Sequence, residues 1–347
     1  MGLVPRAGES MDVEQDVVDM TVGVPSVDES TILDRAKALA RFKFGDSFFH
    51  VVTFSAAITV LVLLSGVILS LVIGSIPAIQ TFGFGFLVTE VWNPVTDKYG
   101  AAAAIYGTVV TSLIAMVIAI PIGVGIAIFL SELCPQPLRQ PIGIAIELLA
   151  GIPSIIYGIW GLFIFAPLLQ QYVEPGIISF FGHVPGLNLL FEGPPYGIGV
   201  FTAGFILAIM VLPFISSISR DVFATVPAVL KESAYGLGFT TREVVGNVVI
   251  PYTRTGIIGG VMLALGRALG ETMAVTFVIG NAHRVSNSIL APGTTISATI
   301  ANEFTEAVGS LYTSALVELG LILFVITFFV LAIARYMLMR IEQKGAQ

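Results

Sequence analysis

Six apolar runs, each long enough to cross a lipid bilayer, constrain the fold of this 347-residue chain more than any other feature. A helix needs about 20 mostly apolar residues to span the hydrocarbon core. Hydrophobic residues make up 56% of the chain and charged residues 11%, unlike an ordinary soluble domain. We therefore expect an all-α polytopic membrane protein with six transmembrane helices, at residues 50–76, 106–130, 142–169, 197–217, 257–279 and 313–337.

The net charge of −7 is concentrated at the N-terminus. Residues 1–34 contain eight carboxylates and a single arginine, which together supply the whole net charge. The segment has few large apolar residues, a composition typical of disorder. We expect a disordered, acidic N-terminal extension over residues 1–45 and a transmembrane domain over residues 46–347.

The basic residues predict the orientation in the membrane. Six spans place both termini on the same side, and thirteen of the sixteen lysines and arginines fall on that side. Loops rich in Lys and Arg face the cytoplasm. The sequence therefore predicts a multi-pass membrane protein with both termini, and the loop at residues 219–256, in the cytoplasm.

A polar, amphipathic stretch at residues 227–251 lies between the fourth and fifth spans and is too polar to cross a bilayer. Thr240 and Glu243 have the spacing of a capping box, which would start a second short helix. Gly238 allows the turn before it. We expect a helix, a turn and a second helix that ends at Pro251, all lying along the membrane face.

This stretch resembles the EAA loop of bacterial ABC importer permeases. Glu232, Ser233 and Ala234 are followed four residues later by Gly238 and, after a further run, by Pro251. Ser233 departs from the commonest form, which has Ala there. The resemblance implies a cytoplasmic coupling loop that sits in a cleft of a separate ATPase subunit. The alternative is an ordinary connection with two short amphipathic turns.

Two charged residues, Arg267 and Glu271, lie near the middle of the fifth predicted span. A charge at that depth costs at least about 2.5 kcal/mol, so such groups usually face a polar interior. Their i, i+4 spacing predicts that they share a helix face and can pair. They could form a structural ion pair, or Arg267 could bind an oxyanion while Glu271 holds it and competes for it. Glu147 and Glu318 are weaker candidates.

Two further stretches resemble the phosphate-specific permeases of the PstC family, namely LLAGIPSIIYGIWGL at 148–162 and LGRALGETMAVTFVIGN at 265–281. The resemblance implies the MetI-like fold of type I ABC importers and a location in the bacterial inner membrane. It also implies phosphate passage at Arg267, Glu271 and Thr272. The partners it implies are a second permease subunit (PstA-like), an ATPase dimer (PstB-like) and a periplasmic phosphate-binding protein (PstS-like).

The chain contains no Gly-x-x-x-x-Gly-Lys-Ser/Thr motif, so we expect no nucleotide site of its own and no enzyme activity. ATP and Mg²⁺ would be bound by the partner ATPase. The three histidines of this chain lack metal-ligand spacing, so we expect it to bind neither a metal nor another cofactor. We also expect the chain to contact membrane lipid, and we expect no binding of nucleic acid.

The sequence thus predicts the transmembrane permease subunit of an ATP-driven phosphate importer that works by alternating access. Two alternatives stay open. One is an ABC permease for another oxyanion, such as sulfate, molybdate or tungstate. The other is an ion-coupled secondary transporter that uses Arg267 and Glu271 as a relay, although it would leave the loop at 227–251 unexplained.

The loop at residues 77–105, on the side opposite the termini, is rich in aromatic residues. Such residues often form a belt at the membrane interface. The alternative is a docking rim for a soluble binding protein.

Overall fold

The structure, a computed structural model, describes residues 29–184, 186 and 188–345. Within these ranges the helices are α1 (Glu29–Phe82), α2 (Gly85–Val88), α3 (Ala102–Leu133), α4 (Gln136–Gly151), α5 (Ser154–Phe181), α6 (Val200–Ala224), α7 (Ala228–Gly236), α8 (Thr241–Leu269), α9 (Met273–Val278), α10 (Ile296–Glu303) and α11 (Ser310–Gly345). A 3₁₀ turn at Asn188–Leu190 lies between α5 and α6.

Six of the described helices are long and apolar enough to cross a membrane, which confirms the predicted all-α, six-span architecture. The candidate spans are Phe48–Phe82, Ala102–Leu133, Ser154–Phe181, Val200–Ala224, Thr241–Leu269 and Ser310–Arg340.

The described part of α1 begins at Glu29, inside the predicted disordered extension. Residues 29–44 contain neither Pro nor Gly and are rich in Ala, Leu, Arg and Lys, which favour helix. Residues 29–45 are therefore helical, while residues 1–28 of that extension lie outside the described residues. The described residues fall into two units, which divide after Gly66.

The third span begins later than the sequence predicted. The predicted run at 142–169 is interrupted after α4, and α5 starts at Ser154. Ile152 is extended, with φ −72° and ψ 127°, because the ring of Pro153 disfavours helical geometry in the residue before it. The span is therefore α5, and α4 is a separate helix that precedes it.

The core of the second unit is built where α3, α6 and α8 pack closely. Small buried residues such as Ala115 and Ala119 on α3 face Ala203 and Leu207 on α6. Gly256 and Gly260 let α8 approach α6, because a Cβ at Gly260 would lie 2.8 Å from the side chain of Ile218. These helices hold the residues of the candidate site in a fixed arrangement.

A second hydrophobic cluster lies at the end of the bundle opposite α7 and contains several residues of the aromatic-rich loop at 77–105. Phe86 and Tyr99 are buried and pack against Tyr312 at the start of α11. The rings of Tyr99 and Tyr312 are stacked with centroids 5.1 Å apart. These two loop aromatics therefore belong to the core and not to an interfacial belt, whereas Phe84 is exposed.

Candidate functional site

Arg267 lies close to mid-height in the bundle and points away from the core of this chain. Its guanidinium lies over the ring of Phe214, with Cζ 4.6 Å from the ring centroid. Phe214 is near the middle of α6, so the Arg267 guanidinium lies beside the middle of that helix. The side chain is exposed in the isolated chain.

The helix that carries Arg267 ends before Glu271. The predicted span at 257–279 stops at Leu269, with Gly270 as the C-terminal cap, and α9 begins at Met273. Glycine favours helix termination because it lacks a Cβ and has high conformational entropy. Arg267 and Glu271 therefore do not share a helix face, and within the described part of the chain they form no salt bridge with each other. The expectation that they pair was wrong.

Glu271 and Thr272 lie in the short link between α8 and α9. Glu271 is half-buried, and its backbone N–H donates to the carbonyl of Ala268 at 3.4 Å. The Thr272 hydroxyl donates to the carbonyl of Gly270 at 3.3 Å, and the Thr272 carbonyl accepts from the Thr276 hydroxyl at 2.7 Å. Glu271 and Thr272 thus lie at the break between α8 and α9, and Arg267 lies in the last turn of α8 before it.

The charge of Arg267 restricts what can cover this face of the molecule. A guanidinium at mid-membrane is costly in contact with lipid tails. Leu263 and Met273, which flank the break, are also exposed. The face that carries Arg267 is therefore best suited to a second protein subunit or to a water-filled passage.

Glu147 lies outside the candidate spans. It was expected inside the third span, but it is on α4 and forms a salt bridge with Arg220, near the end of α6. Gly143, one turn away on α4, packs against the Arg220 guanidinium. The prediction that Glu147 lies in the third span is wrong, because Pro153 separates α4 from that span.

The stretch at 227–251 begins as the sequence predicted. It forms helix α7, a turn at Gly238 with φ +86°, and a second helix that starts at Thr241. The Thr240 hydroxyl accepts from the backbone N–H of Glu243, whose carboxylate accepts from the backbone N–H of Thr240 at 2.9 Å. The predicted capping box is confirmed.

The EAA-like residues divide between the surface and the core. Glu232, Ser233 and Gly238 are exposed. Ala234 is buried in a cluster with Phe223 and Val244. One face of α7 is therefore anchored on the bundle, and the other is free to contact a partner.

Pro251 does not end the second helix of this stretch. The helix passes through a wide π-helical turn at Val245–Val249 and continues into the fifth span as Thr241–Leu269. Proline fits here because it occupies the first turn of the α-helical segment that begins at Ile250, where its missing N–H costs little. The predicted end at Pro251 is wrong, and the second helix of the stretch at 227–251 is the beginning of α8.

A salt bridge that the sequence did not predict fastens α7 to α3. Lys231 Nζ lies 2.6 Å from Glu132 Oε1, at the end of α3. The Glu132 side chain is only 7% exposed. The two residues are 99 positions apart, so no local pattern could have identified them.

A second unpredicted cluster surrounds Glu303, at the end of the bundle opposite α7. Its carboxylate accepts hydrogen bonds from Trp92 Nε1 and from the Tyr312 hydroxyl, the latter at 2.5 Å, and lies 2.9 Å from His283 Nε2. Burial raises the pKa of Glu303, but these hydrogen bonds outweigh it and hold the pKa below its usual 4.5. The cluster joins two loops to the start of α11.

Comparison with known proteins shows the family. The profile of the family described as "Binding-protein-dependent transport system inner membrane component" matches residues 119–343. The chain is 71% identical over 310 residues to "Phosphate transport system permease protein PstC" of Mesorhizobium japonicum, with 89% of this chain and 95% of that protein covered. It is 60% identical over 288 residues to the protein of the same name from Pasteurella multocida, covering 83% and 90% of the two chains.

A solved structure has the same fold. A chain of a bacterial alginate ABC transporter, solved with its periplasmic protein, matches with a TM-score of 0.57 and 18% identity. The match covers 87% of this chain and 97% of that chain. The six helices thus have the fold of ABC importer permeases, and the chain belongs to the binding-protein-dependent inner membrane components and, within them, to the PstC permeases.

Proposed function

We propose that this chain forms part of the translocation pathway for inorganic phosphate and that Arg267 binds the anion during its passage. The observation that carries the proposal is the exposed Arg267 guanidinium at mid-height, with no carboxylate partner in the described part of the chain. An arginine without a counter-ion at this depth is suited to an anionic substrate.

The geometry of Arg267 supports binding of an oxyanion. Guanidinium donates two parallel hydrogen bonds to phosphate or carboxylate oxygens. The ring of Phe214 lies against the guanidinium and limits its movement. Glu271 and Thr272, at the adjacent break, would contribute a competing charge and a hydroxyl, so that the anion is held briefly and then released.

The remainder of the pathway would come from a second, PstA-like permease subunit that covers the face carrying Arg267. A PstB-like ATPase dimer would bind ATP and Mg²⁺ and contact the exposed residues Glu232, Ser233 and Gly238, since this chain has no P-loop. The termini and α7 would then face the cytoplasm, in line with the distribution of basic residues. A PstS-like binding protein would deliver phosphate at the other end.

The cycle follows from the position of α7, which only the turn at Gly238 separates from α8, the helix that carries Arg267. ATP binding would close the ATPase dimer and move α7, and α8 would carry that movement to the break beside Arg267. The passage would open toward the binding protein, and ATP hydrolysis would reverse the movement.

The test is reconstitution of the complete complex in lipid vesicles with ATP inside and labelled phosphate and binding protein outside. We expect uptake that needs ATP and that unlabelled phosphate suppresses more strongly than sulfate, molybdate or tungstate. Stronger suppression by another oxyanion would assign that anion instead. Uptake driven by a proton gradient without nucleotide would overturn the proposal.

A further inference from the structure

An apolar groove of about 540 Å³ lies beside Glu318, at the end of the bundle opposite α7. The volume is within the range of about 300–1,000 Å³ found for small-molecule sites. Its wall is formed by the end of α1, by α2 and the residues before it, by the start of α3 and by α11, with Ile79, Phe84, Leu87, Ile105, Val325 and Glu318 among its residues. None of its lining residues lies on α5, α8 or α9, so the groove is separate from the candidate pathway.

Glu318 is the titratable residue among those that line this groove. It is 6% exposed, and its Oε2 atom has no hydrogen-bond partner in the part of the chain that the structure describes. A buried polar atom without a partner is costly, and a buried charge more so. Glu318 was a weaker candidate for the pathway, and neither the stretch at 227–251 nor the Arg267 site involves it.

The shape of the groove indicates an elongated ligand with a polar end. On α11 its lining residues have the i, i+3, i+4, i+7 and i+8 spacing of a single helix face, starting at Glu318 and ending at Ile326. Eight residues of helix rise by about 12 Å. Glu318 is the one closest to the start of α11, and the residues beyond it are all apolar.

We propose that this groove binds a phospholipid whose headgroup carries a primary ammonium, as phosphatidylethanolamine does. The ammonium would donate hydrogen bonds to the Glu318 carboxylate, and an acyl chain would lie along Leu321, Val325 and Ile326. Charge complementarity selects the ammonium, and the apolar residues below the carboxylate select a ligand with a chain. A phospholipid of this kind carries both groups in one molecule.

The experiment counts bound lipid on the assembled complex. The complex is purified in detergent, stripped of lipid, and titrated with phosphatidylethanolamine, phosphatidylcholine or phosphatidylglycerol, and the bound molecules are counted by native mass spectrometry. We expect a preference for phosphatidylethanolamine, because the choline headgroup has no N–H donor and the glycerol headgroup leaves the lipid anionic. Equal binding of the three lipids would overturn the proposal.

Four variants test the position of the site. Glu318→Gln removes a charged hydrogen-bond acceptor, and we expect its affinity for phosphatidylethanolamine to fall by about tenfold or more. Glu306→Gln removes an exposed carboxylate outside the groove and should change nothing. Val325→Trp fills the groove and should abolish binding, whereas Ile333→Trp adds the same bulk to an exposed position of α11 outside it.

Retention of the lipid by both Glu318→Gln and Val325→Trp would place it elsewhere and refute the proposal. Cross-linking of Val325→Cys to the second permease subunit would also refute it, since a protein helix would then occupy the groove. Phosphate uptake is measured on the same complexes, so that failure of the lipid proposal can be told apart from failure of the proposed transport function.

Discussion

Lys231 on α7 and Glu132 at the end of α3 form a salt bridge of 2.6 Å in which the carboxylate is almost fully buried. The α3 helix packs along α6, and α7 rests on the ends of both through Ala127, Phe223 and Ala234. The salt bridge therefore adds a charged attachment to an apolar one. A force applied to α7 by a partner would pass through it into the paired helices.

Lys231→Met should uncouple ATP hydrolysis from transport. The change keeps an apolar stem but leaves the Glu132 carboxylate buried without its partner. Removing one partner of a fully buried pair costs about 3–5 kcal/mol. The cost here is smaller, because the Lys231 side chain is 21% exposed. We expect phosphate transported per ATP to fall by about fivefold or more, while ATP hydrolysis continues. Both rates are measured in the same vesicles.

The charge-reversed pair, Lys231→Glu with Glu132→Lys, supplies the control. If the attachment acts through the ion pair, the double variant should recover coupling that each single variant loses. Equal loss in the double variant and the single variants would show that packing, and not charge, fixes α7.

Gly238 should tolerate asparagine better than valine. Its φ of +86° is a conformation that L residues rarely adopt, and nothing lies within 4 Å of a Cβ placed there. Asn tolerates positive φ, whereas a β-branched residue is a genuine outlier there. We expect Gly238→Val to abolish uptake and Gly238→Asn to retain much of it, with both proteins inserted in the membrane at normal levels. A fully active Gly238→Val protein would show that the turn can adopt another conformation.

Local sequence signals predicted the start of the stretch at 227–251 well. The apolar runs, in contrast, predicted the helix ends wrongly at glycine and proline. Thr240 and Glu243 could be recognised because a capping box lies within four residues. Pro251 was assigned as a helix end and the run around Pro153 as one uninterrupted span, yet the structure reverses the two. Whether a proline ends a helix depends on the turn before it: the π-helical turn accommodates Pro251, whereas Ile152 becomes extended before Pro153.

The clusters formed by distant residues could not be predicted. Trp92, His283 and Tyr312 meet at Glu303 only after the loops have folded onto α10 and α11. Glu132 and Lys231 likewise meet only when α7 packs on α3. Arg267 could be singled out because its charge stands in an apolar run, but the break after Leu269 decides that Glu271 is not its partner.

Glu147→Gln should leave phosphate uptake within about twofold of the wild type. The Glu147 and Arg220 side chains are 46% and 30% exposed, and a salt bridge of this kind contributes about 0–1 kcal/mol. The change also leaves an amide that can accept a hydrogen bond from Arg220. Uptake rates at saturating phosphate are the measurement. A loss comparable to that of an Arg267 variant would return Glu147 to the pathway.

The Glu303 cluster should loosen when the pH falls below about 4.5. Because its pKa in the folded protein lies below the usual 4.5, the ionised carboxylate stabilises the cluster at higher pH, and this contribution is lost as the pH falls through the folded value. Trp92 reports the change in a Trp160→Phe background, since the chain has two tryptophans. We expect its emission to shift to longer wavelength on acidification.

Glu303→Gln provides the comparison for that titration. The neutral amide cannot lose a charge, so the acid-induced shift of Trp92 emission should become smaller and the spectrum at neutral pH should already be shifted to longer wavelength. An unchanged acid transition in Glu303→Gln would assign the transition to another group.

Arg267→Gln should impair phosphate uptake without preventing assembly with the ATPase. Replacing the guanidinium removes charge-assisted hydrogen bonds worth about 1.5–3 kcal/mol, so uptake at low phosphate should fall by about tenfold to a hundredfold. Arg267→Lys keeps the charge but loses the planar fork and should be intermediate. Arg335→Gln, an exposed arginine near the far end of α11, should behave as the wild type. Copurification of the ATPase with each variant separates a transport defect from an assembly defect. Normal uptake by Arg267→Gln would mean that the phosphate passes without contacting this residue.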